Sequence, residues 1–217
     1  FRTSICGWFE RNIKETFGDD DMEFEIKGRK GFAGTIAMYE DKFGNGTFYG
    51  DTKAHEDTKI RVLLAIHRYI SKYCPNATNL SIVVGQPIRK HVDDEKDKIK
   101  KMLLGEHTVT VNNVTLTFKI KNVGVSPEGS AAFWAKPVDE KISILDIGSG
   151  TINVCVIINK KVINTSSDTF NFGTETINVD DNFETITHGI IQNLTRLNWD
   201  KYSKIYVCGG ASEGILP

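Results

Sequence analysis

The sequence lacks most of the features that announce a function at once. Its four cysteines, Cys6, Cys74, Cys155 and Cys208, are scattered over 217 residues without a CxxC pair, which removes thiol redox motifs and Cys-rich zinc frameworks. Five histidines (His55, His67, His91, His107 and His188) show no HxxxH spacing and no cysteine partner, so a zinc centre is not expected either. There is no GxSxG nucleophile elbow and no Walker A lysine motif. No apolar run approaches the ~18 residues of a membrane-spanning helix, and no secretory pattern is visible. Charge of one sign is missing too: 27 Lys and Arg face 28 Asp and Glu, a net charge of −1. That balance argues against wholesale attraction to nucleic acid or to a membrane surface.

What is present is ordinary for a folded chain, with 40% hydrophobic and 25% charged residues. The length fits one large or two small domains and a sizeable core. Cys155 and Cys208 lie inside apolar runs, where a reduced thiol behaves as a small hydrophobe. Six sequons, at Asn45, Asn76, Asn79, Asn113, Asn164 and Asn193, would suit a secreted protein. An Asn- and Thr-rich chain also produces them by chance, and the expectation is a cytoplasmic protein. The first residue is Phe1, not Met, so a longer natural N-terminus is expected.

Along the chain, Gly31–Tyr39 and Gly46–Tyr49 read as short strands, with an acidic loop at Gly18–Asp21. Ile60, Leu63, Leu64, Ile66, Ile70 and Tyr73 fall at helical spacing between Asp57 and Tyr73. Leu80–Val84 reads as a buried strand stopped by Gly85-Gln86-Pro87. Asp93–Leu104 reads as a charged helix whose acids lead and whose lysines follow, in accord with the macrodipole. Its lysines suit either a polyanion or a solvated face. A hairpin is expected around Asn112-Asn113. Ser126 then reads as an N-cap, Pro127 as the first helical position and Glu128 as a first-turn acid. Glu128 either complements the helix dipole or orients a water. Lys161–Ser167 reads as a strand, Asp180–Leu197 as a helix, and Lys204–Cys208 as a last buried strand running into Gly209-Gly210.

The most informative stretch is Lys141–Ile158. Two Ile- and Val-rich runs, Ile142–Ile147 and Ile152–Ile158, flank Gly148-Ser149-Gly150-Thr151, and one acid, Asp146, stands just before the turn. Such runs bounded by glycine predict a buried hairpin. A turn of small residues lets backbone N–H groups face an anion. A carboxylate beside it suits hydrated Mg²⁺. An ordinary glycine-rich hairpin accounts for the same residues. The order strand, turn, strand, strand, helix, strand, Gly-Gly from Lys141 onward predicts a mixed α/β sheet with ligands at strand ends.

Five short segments occur in one order: Gly85-Gln86-Pro87, Ser126-Pro127-Glu128-Gly129, Asp146-Ile147-Gly148-Ser149-Gly150-Thr151, Asn171-Phe172-Gly173-Thr174 and Cys208-Gly209-Gly210-Ala211. This order resembles the actin-like ATPases, in particular the ParM-like plasmid-segregation actins. Gly173 and Gly209 stand close together in sequence, as in the AlfA-like members, which lack the fourth subdomain. The resemblance implies an α/β, actin-like (ribonuclease H-like) two-domain ATPase fold, with domain I at 1–136 and domain II at 137–217. It also implies that the first strand hairpin with its phosphate loop and the closing helices lie outside this chain.

By the same resemblance, Asp146 holds Mg²⁺ through water and Glu128 positions the attacking water. Gly148, Ser149, Gly150 and Thr151 contact phosphate, Gly173 lies near the sugar, and Gly209, Gly210 and Ala211 adjoin the adenosine. The implied activity is ATP or GTP hydrolysis coupled to a homopolymeric filament. A DNA-binding adaptor would supply the link to plasmid DNA. A small-molecule kinase of the same fold and a non-hydrolysing filament scaffold are the alternatives.

Overall fold

Alternation builds the first sheet. In β2 (Met22–Ile26), Met22, Phe24 and Ile26 are buried while Glu23 and Glu25 face out, the period of a half-buried strand. The computed structural model describes residues 1–12, 16–40, 52–174, 176 and 183–210. They fall into two compact units, Phe1–Val83 with Asp97–Gly124, and Val84–Lys96 with Val125–Pro217. The second unit thus takes in residues 84–96 and resumes at Val125.

In the first unit, β1 (Ile5–Gly7), β2, β3 (Arg29–Ala33), β4 (Asn79–Gln86), β5 (Gly105–Val111) and β6 (Val114–Pro127) form one sheet in the order β1-β3-β2-β5-β6-β4. Asn112 and Asn113, with φ of 48° and 68°, close the expected β5–β6 hairpin; asparagine tolerates the two left-handed positions this turn needs. Helix α2 (Glu56–Tyr73) packs on β5 through a face that includes Ile60, Leu63, Leu64 and Ile70. Helix α3 (Asp93–Leu103) buries Ile99 and Leu103.

Two expectations fail here. The stretch 31–39 is half strand and half helix, because Gly34 (φ +88°) turns the chain and the Asp21 carboxylate accepts the Ile36 N–H at 2.8 Å, starting α1 (Thr35–Glu40). Gly46–Tyr49 lies outside the described residues. The strand at Leu80–Val84 is real, but β4 continues through Gln86 and is not buried: Val83 is 71% exposed. An apolar run on an edge strand looks the same as one in a sheet centre.

In the second unit, α4 (Ser130–Phe133) leads into the hairpin of β7 (Ile142–Ile147) and β8 (Ile152–Ile158), whose limits match the two apolar runs. The sheet order is β10-β8-β7-β11, with β9 (Lys161–Val162) paired to β8, β10 at Asp168–Phe170 and β11 at Ile205–Cys208. Helix α5 (Phe183–Arg196) brings Ile186 and Ile190 onto Leu145, Ile147, Ile152 and Val154. Phe133 covers Ile142, Ile144, Cys155 and Ile157 of the alternate set. Both faces of β7 and β8 are therefore buried, which explains their unbroken apolar runs.

The single strand expected at Lys161–Ser167 is instead β9 followed by a 3₁₀ turn at Asn164–Ser166. The Ser167 hydroxyl, donating to Ile163 O and accepting from the Val156 N–H, stabilises that turn. Strand β11 is not buried; Ile205 and Tyr206 are 40% and 39% exposed. The first three residues of the helix expected from Asp180 lie outside the described residues.

Buried histidines give the first unit an acid liability. His67 Nε2 and His107 Nε2 donate to Val114 O (2.9 Å) and Leu103 O (2.7 Å), because a carbonyl partner can only accept. Burial pushes both imidazoles below the ordinary 6.5. A depressed folded pKa leaves stability intact above pH 6.5 and removes it as pH falls from there toward the folded values. The thermal midpoint should therefore fall as pH drops below about 6.5, and the double variant H67Q/H107Q should flatten that limb. An unchanged slope in the variant would assign the acid sensitivity elsewhere.

Candidate active site

The site is built from one row of residues across the second sheet. Strand registers place Thr169 opposite Asn153, Asn153 opposite Asp146, and Asp146 opposite Cys208. Register partners point to the same face. This is the face on which Ile142 and Ile144 of β7, and Ile157 and Cys155 of β8, form the apolar layer. That layer therefore ends in polar groups at the turn end of the hairpin.

Glu128 joins the row from outside the sheet. Its N–H donates to Gln86 O at 2.8 Å. Asn153 Nδ2 donates to its Oε2 at 3.0 Å, and Thr169 Oγ1 donates to Asn153 Oδ1 at 2.7 Å. Asn153 and Thr169 are 3% and 0% exposed, so this is a buried and fully directional chain from Thr169 to the Glu128 carboxylate. Asp146 is half-buried. The Cys208 thiol is hydrogen-bonded to it, and burial, then the Asp146 charge, push that thiol up to about 11. Cys208 therefore stays a neutral donor beside the carboxylate.

The local reading of Ser126-Pro127-Glu128 needs correction. Ser126 and Pro127 end β6, and Gly129, at φ +81°, precedes the helix proper at Ser130. Glu128 thus sits in the turn before the helix, not in its first turn, with its N–H held by Gln86 O. Gly85 has a defined task beside it. A Cβ there would stand 2.9 Å from Glu128 Cγ, so the glycine leaves the space that this side chain fills. Arg89 ties the following segment to β10, gripping Asp168 with Nε to Oδ1 at 2.6 Å and Nη2 to Oδ2 at 2.8 Å. The guanidinium holds the Asp168 carboxyl below its ordinary range.

The turn itself is narrow. Gly148 N–H donates to Thr151 O at 3.0 Å, leaving Ser149 and Gly150 at the tip. Among the described residues, no acceptor pairs with the Ser149 and Gly150 N–H groups. A Cβ on Gly150 would meet nothing within 4 Å. Open N–H donors at a tip with little side-chain bulk fit an anion, and a single half-buried carboxylate such as Asp146 is compatible with a Mg²⁺ that keeps most of its water.

Gly173 sits against the back of this turn. Its Cβ would lie 2.5 Å from both Gly148 O and Ser149 O, and Thr174 N–H donates to Gly148 O at 3.2 Å. Gly209 combines φ +98° with a Cβ position that overlaps Ile147 O. Gly210 is exposed with open space around it, and Ala211 lies outside the described residues. The structure thus brings Glu128, Asp146, Gly148, Ser149, Gly150, Thr151, Gly173 and Gly209 into one unit around the β7–β8 turn. Sequence reasoning missed Asn153, Thr169 and Gly85. The available signal was a lone asparagine inside a run that is otherwise apolar.

Two sheets with this connectivity define an actin-like fold, and the comparisons agree. Residues 1–130 match the family described as the N-terminal domain of actin-like proteins, and the chain belongs to that family. Among solved structures it is similar to an AlfA filament bound to AMPPNP, with a TM-score of 0.75 and 21% identity over 98% of this chain and 73% of that one. It is also similar to AlfA from a B. subtilis plasmid, in filament form (0.76, 21%, 98% and 75%), and to an apo ParM (0.68, 18%, 97% and 79%). At these identities the likeness is one of fold. No curated protein sequence matches the chain.

Two glycines are predicted to be structural. Gly173→Ala and Gly209→Ala force a methyl into backbone, which costs about 1–3 kcal/mol in a packed setting. Each variant should lower the denaturation midpoint, with Gly209→Ala the worse because its left-handed φ adds strain. A Gly209→Ala protein as stable as its parent would refute this account of the β11 exit.

Proposed function

We propose that this protein binds ATP or GTP through the β7–β8 turn, hydrolyses it, and assembles with copies of itself into a filament that separates plasmid DNA. A DNA-binding adaptor would make the link to DNA; the chain's near-neutral charge suits a protein that does not bind DNA itself. The observation that carries the reading is the meeting of Glu128 and Asp146 around one buried amide, beside a turn with open backbone donors. The proposal includes the division into actin-like domain I at 1–136 and domain II at 137–217, and a cytoplasmic location.

In this reading the Ser149 and Gly150 N–H groups and the Thr151 hydroxyl hold the terminal phosphates. Mg²⁺, when bound, neutralises phosphate charge, and Asp146 would hold it through water. Glu128 orients the attacking water, with one carboxylate oxygen fixed as an acceptor by Asn153. Positioning and electrostatics of this kind supply most of the catalysis in phosphoryl transfer. Gly173, Gly209, Gly210 and Ala211 complete the sugar and adenosine side. Between Gly173 and Gly209 the described residues form one helix and one strand, α5 and β11, so base contacts from that side are few and discrimination between ATP and GTP is loose.

Light scattering with and without nucleotide tests the whole reading. Growth that depends on nucleotide supports it; no growth with accumulation of a phosphorylated small molecule would instead mark a kinase. Glu128→Ala should slow phosphate release about 100-fold or more while nucleotide binding and assembly persist. Asp146→Ala should weaken binding of the Mg²⁺-nucleotide complex itself. Gly150→Ala should leave the thermal midpoint unchanged and weaken nucleotide binding, since the added methyl meets only the approaching phosphate. Titration with both nucleotides should give a preference below roughly a thousandfold, about 4 kcal/mol.

A further inference from the structure

The buried amide between the two carboxylates has a role that its burial alone does not require. We propose that Asn153, oriented by the Thr169 hydroxyl, is the positioning residue that keeps the Glu128 carboxylate aimed for hydrolysis; the inference rests on the hydrolytic reading above.

The donor order carries it. Thr169 Oγ1 donates to Asn153 Oδ1 at 2.7 Å, and Asn153 Nδ2 donates to Glu128 Oε2 at 3.0 Å. An ionised carboxylate only accepts, so it selects the amide orientation that presents N–H. The reversed amide would present its carbonyl and would require a protonated Glu128 as donor. The Thr169 hydroxyl, donating to Oδ1, favours the first arrangement. With Asn153 3% and Thr169 0% exposed, water does not compete for either bond, and the orientation is held by the two side chains alone.

Burial also explains why the residue is neutral. Asn153 stands opposite Asp146 in register and bonds to Glu128. A carboxylate at 153 would add a third negative charge to two acids already in the row, and like charges raise one another's pKa. An amide of the same shape instead donates a hydrogen bond to the Glu128 carboxylate without adding charge.

A purely structural hydrogen bond would alter stability and leave turnover of the folded protein alone. A positioning bond lowers kcat while nucleotide affinity is kept. Asn153→Ala in the intact protein should therefore lower kcat roughly 10–100-fold, the usual cost of removing the outer partner of a working group. The Kd for a fluorescent ATP analogue should stay within about twofold. In a Glu128→Gln background the same substitution should cost little more, because its effect passes through the carboxylate. Thr169→Val should produce the same pattern in weaker form, and Thr169→Ser should restore the parent behaviour.

A folded Asn153→Ala protein with parental kcat, a rise in KM alone, or an additive loss in the Glu128→Gln background would each overturn the proposal. If Asn153→Ala does not fold, the near-isosteric Thr169→Val carries the comparison, with Thr169→Ser as its control. If the parent protein itself releases no phosphate, it is the hydrolytic reading that fails. If the parent turns over and the variants match it, only the role of Asn153 falls.

Discussion

The pairing of β7 with β8 is the constraint on which the second unit depends. Six register pairs, from Ile142–Ile157 to Ile147–Ile152, are covered on one side by α5 and on the other by the layer that includes Phe133. Apolar burial on both faces leaves no freedom to slip, since a one-residue shift would exchange the two faces and drive Asp146 into the layer beneath α5. The position of the acid is thus fixed by the core below it. Function at the turn end inherits its precision from hydrophobic packing farther along the same strands.

Three glycines then bring loops against that fixed hairpin, each for a different physical reason. Gly85 leaves volume for the Glu128 side chain. Gly173 lets backbone lie against backbone behind the turn, at distances no Cβ tolerates. Gly209 supplies a left-handed φ as the chain leaves β11 over Ile147. Gly150 differs from all three, because nothing in the described structure occupies the space its missing Cβ leaves. Glycines that look alike in a motif therefore divide into those that hold the site together and one that keeps it open.

The parts of the fold legible in the sequence are those whose burial is uniform. The runs that became β7 and β8, and the periodic face of α2, were readable almost to the residue because local pattern and tertiary environment agree. The apolar runs in β4 and β11 misled because an edge strand and a central strand carry the same residues. Ser126-Pro127-Glu128 carried every local sign of a helix start, yet Ser126 and Pro127 end strand β6 and Glu128 turns with its N–H on Gln86 O, forty-odd positions away. Glu128 and Asp146 were visible as candidates. Their common partner was not, because an asparagine in an apolar run has no spacing signature and its role depends on a strand pairing.

The electrostatic logic of the row follows from its neutral members. Two carboxylates near a half-buried strand end repel each other. Here Asn153 donates to Glu128 and Cys208 donates to Asp146, so each acid has a neutral donor on a neighbouring strand. Neutral donors stabilise negative charge without forming a salt bridge that a cationic ligand would have to break. The arrangement therefore sets the site's negative charge among neutral donors rather than cations in the row, and it does so with residues that composition and net charge do not reveal.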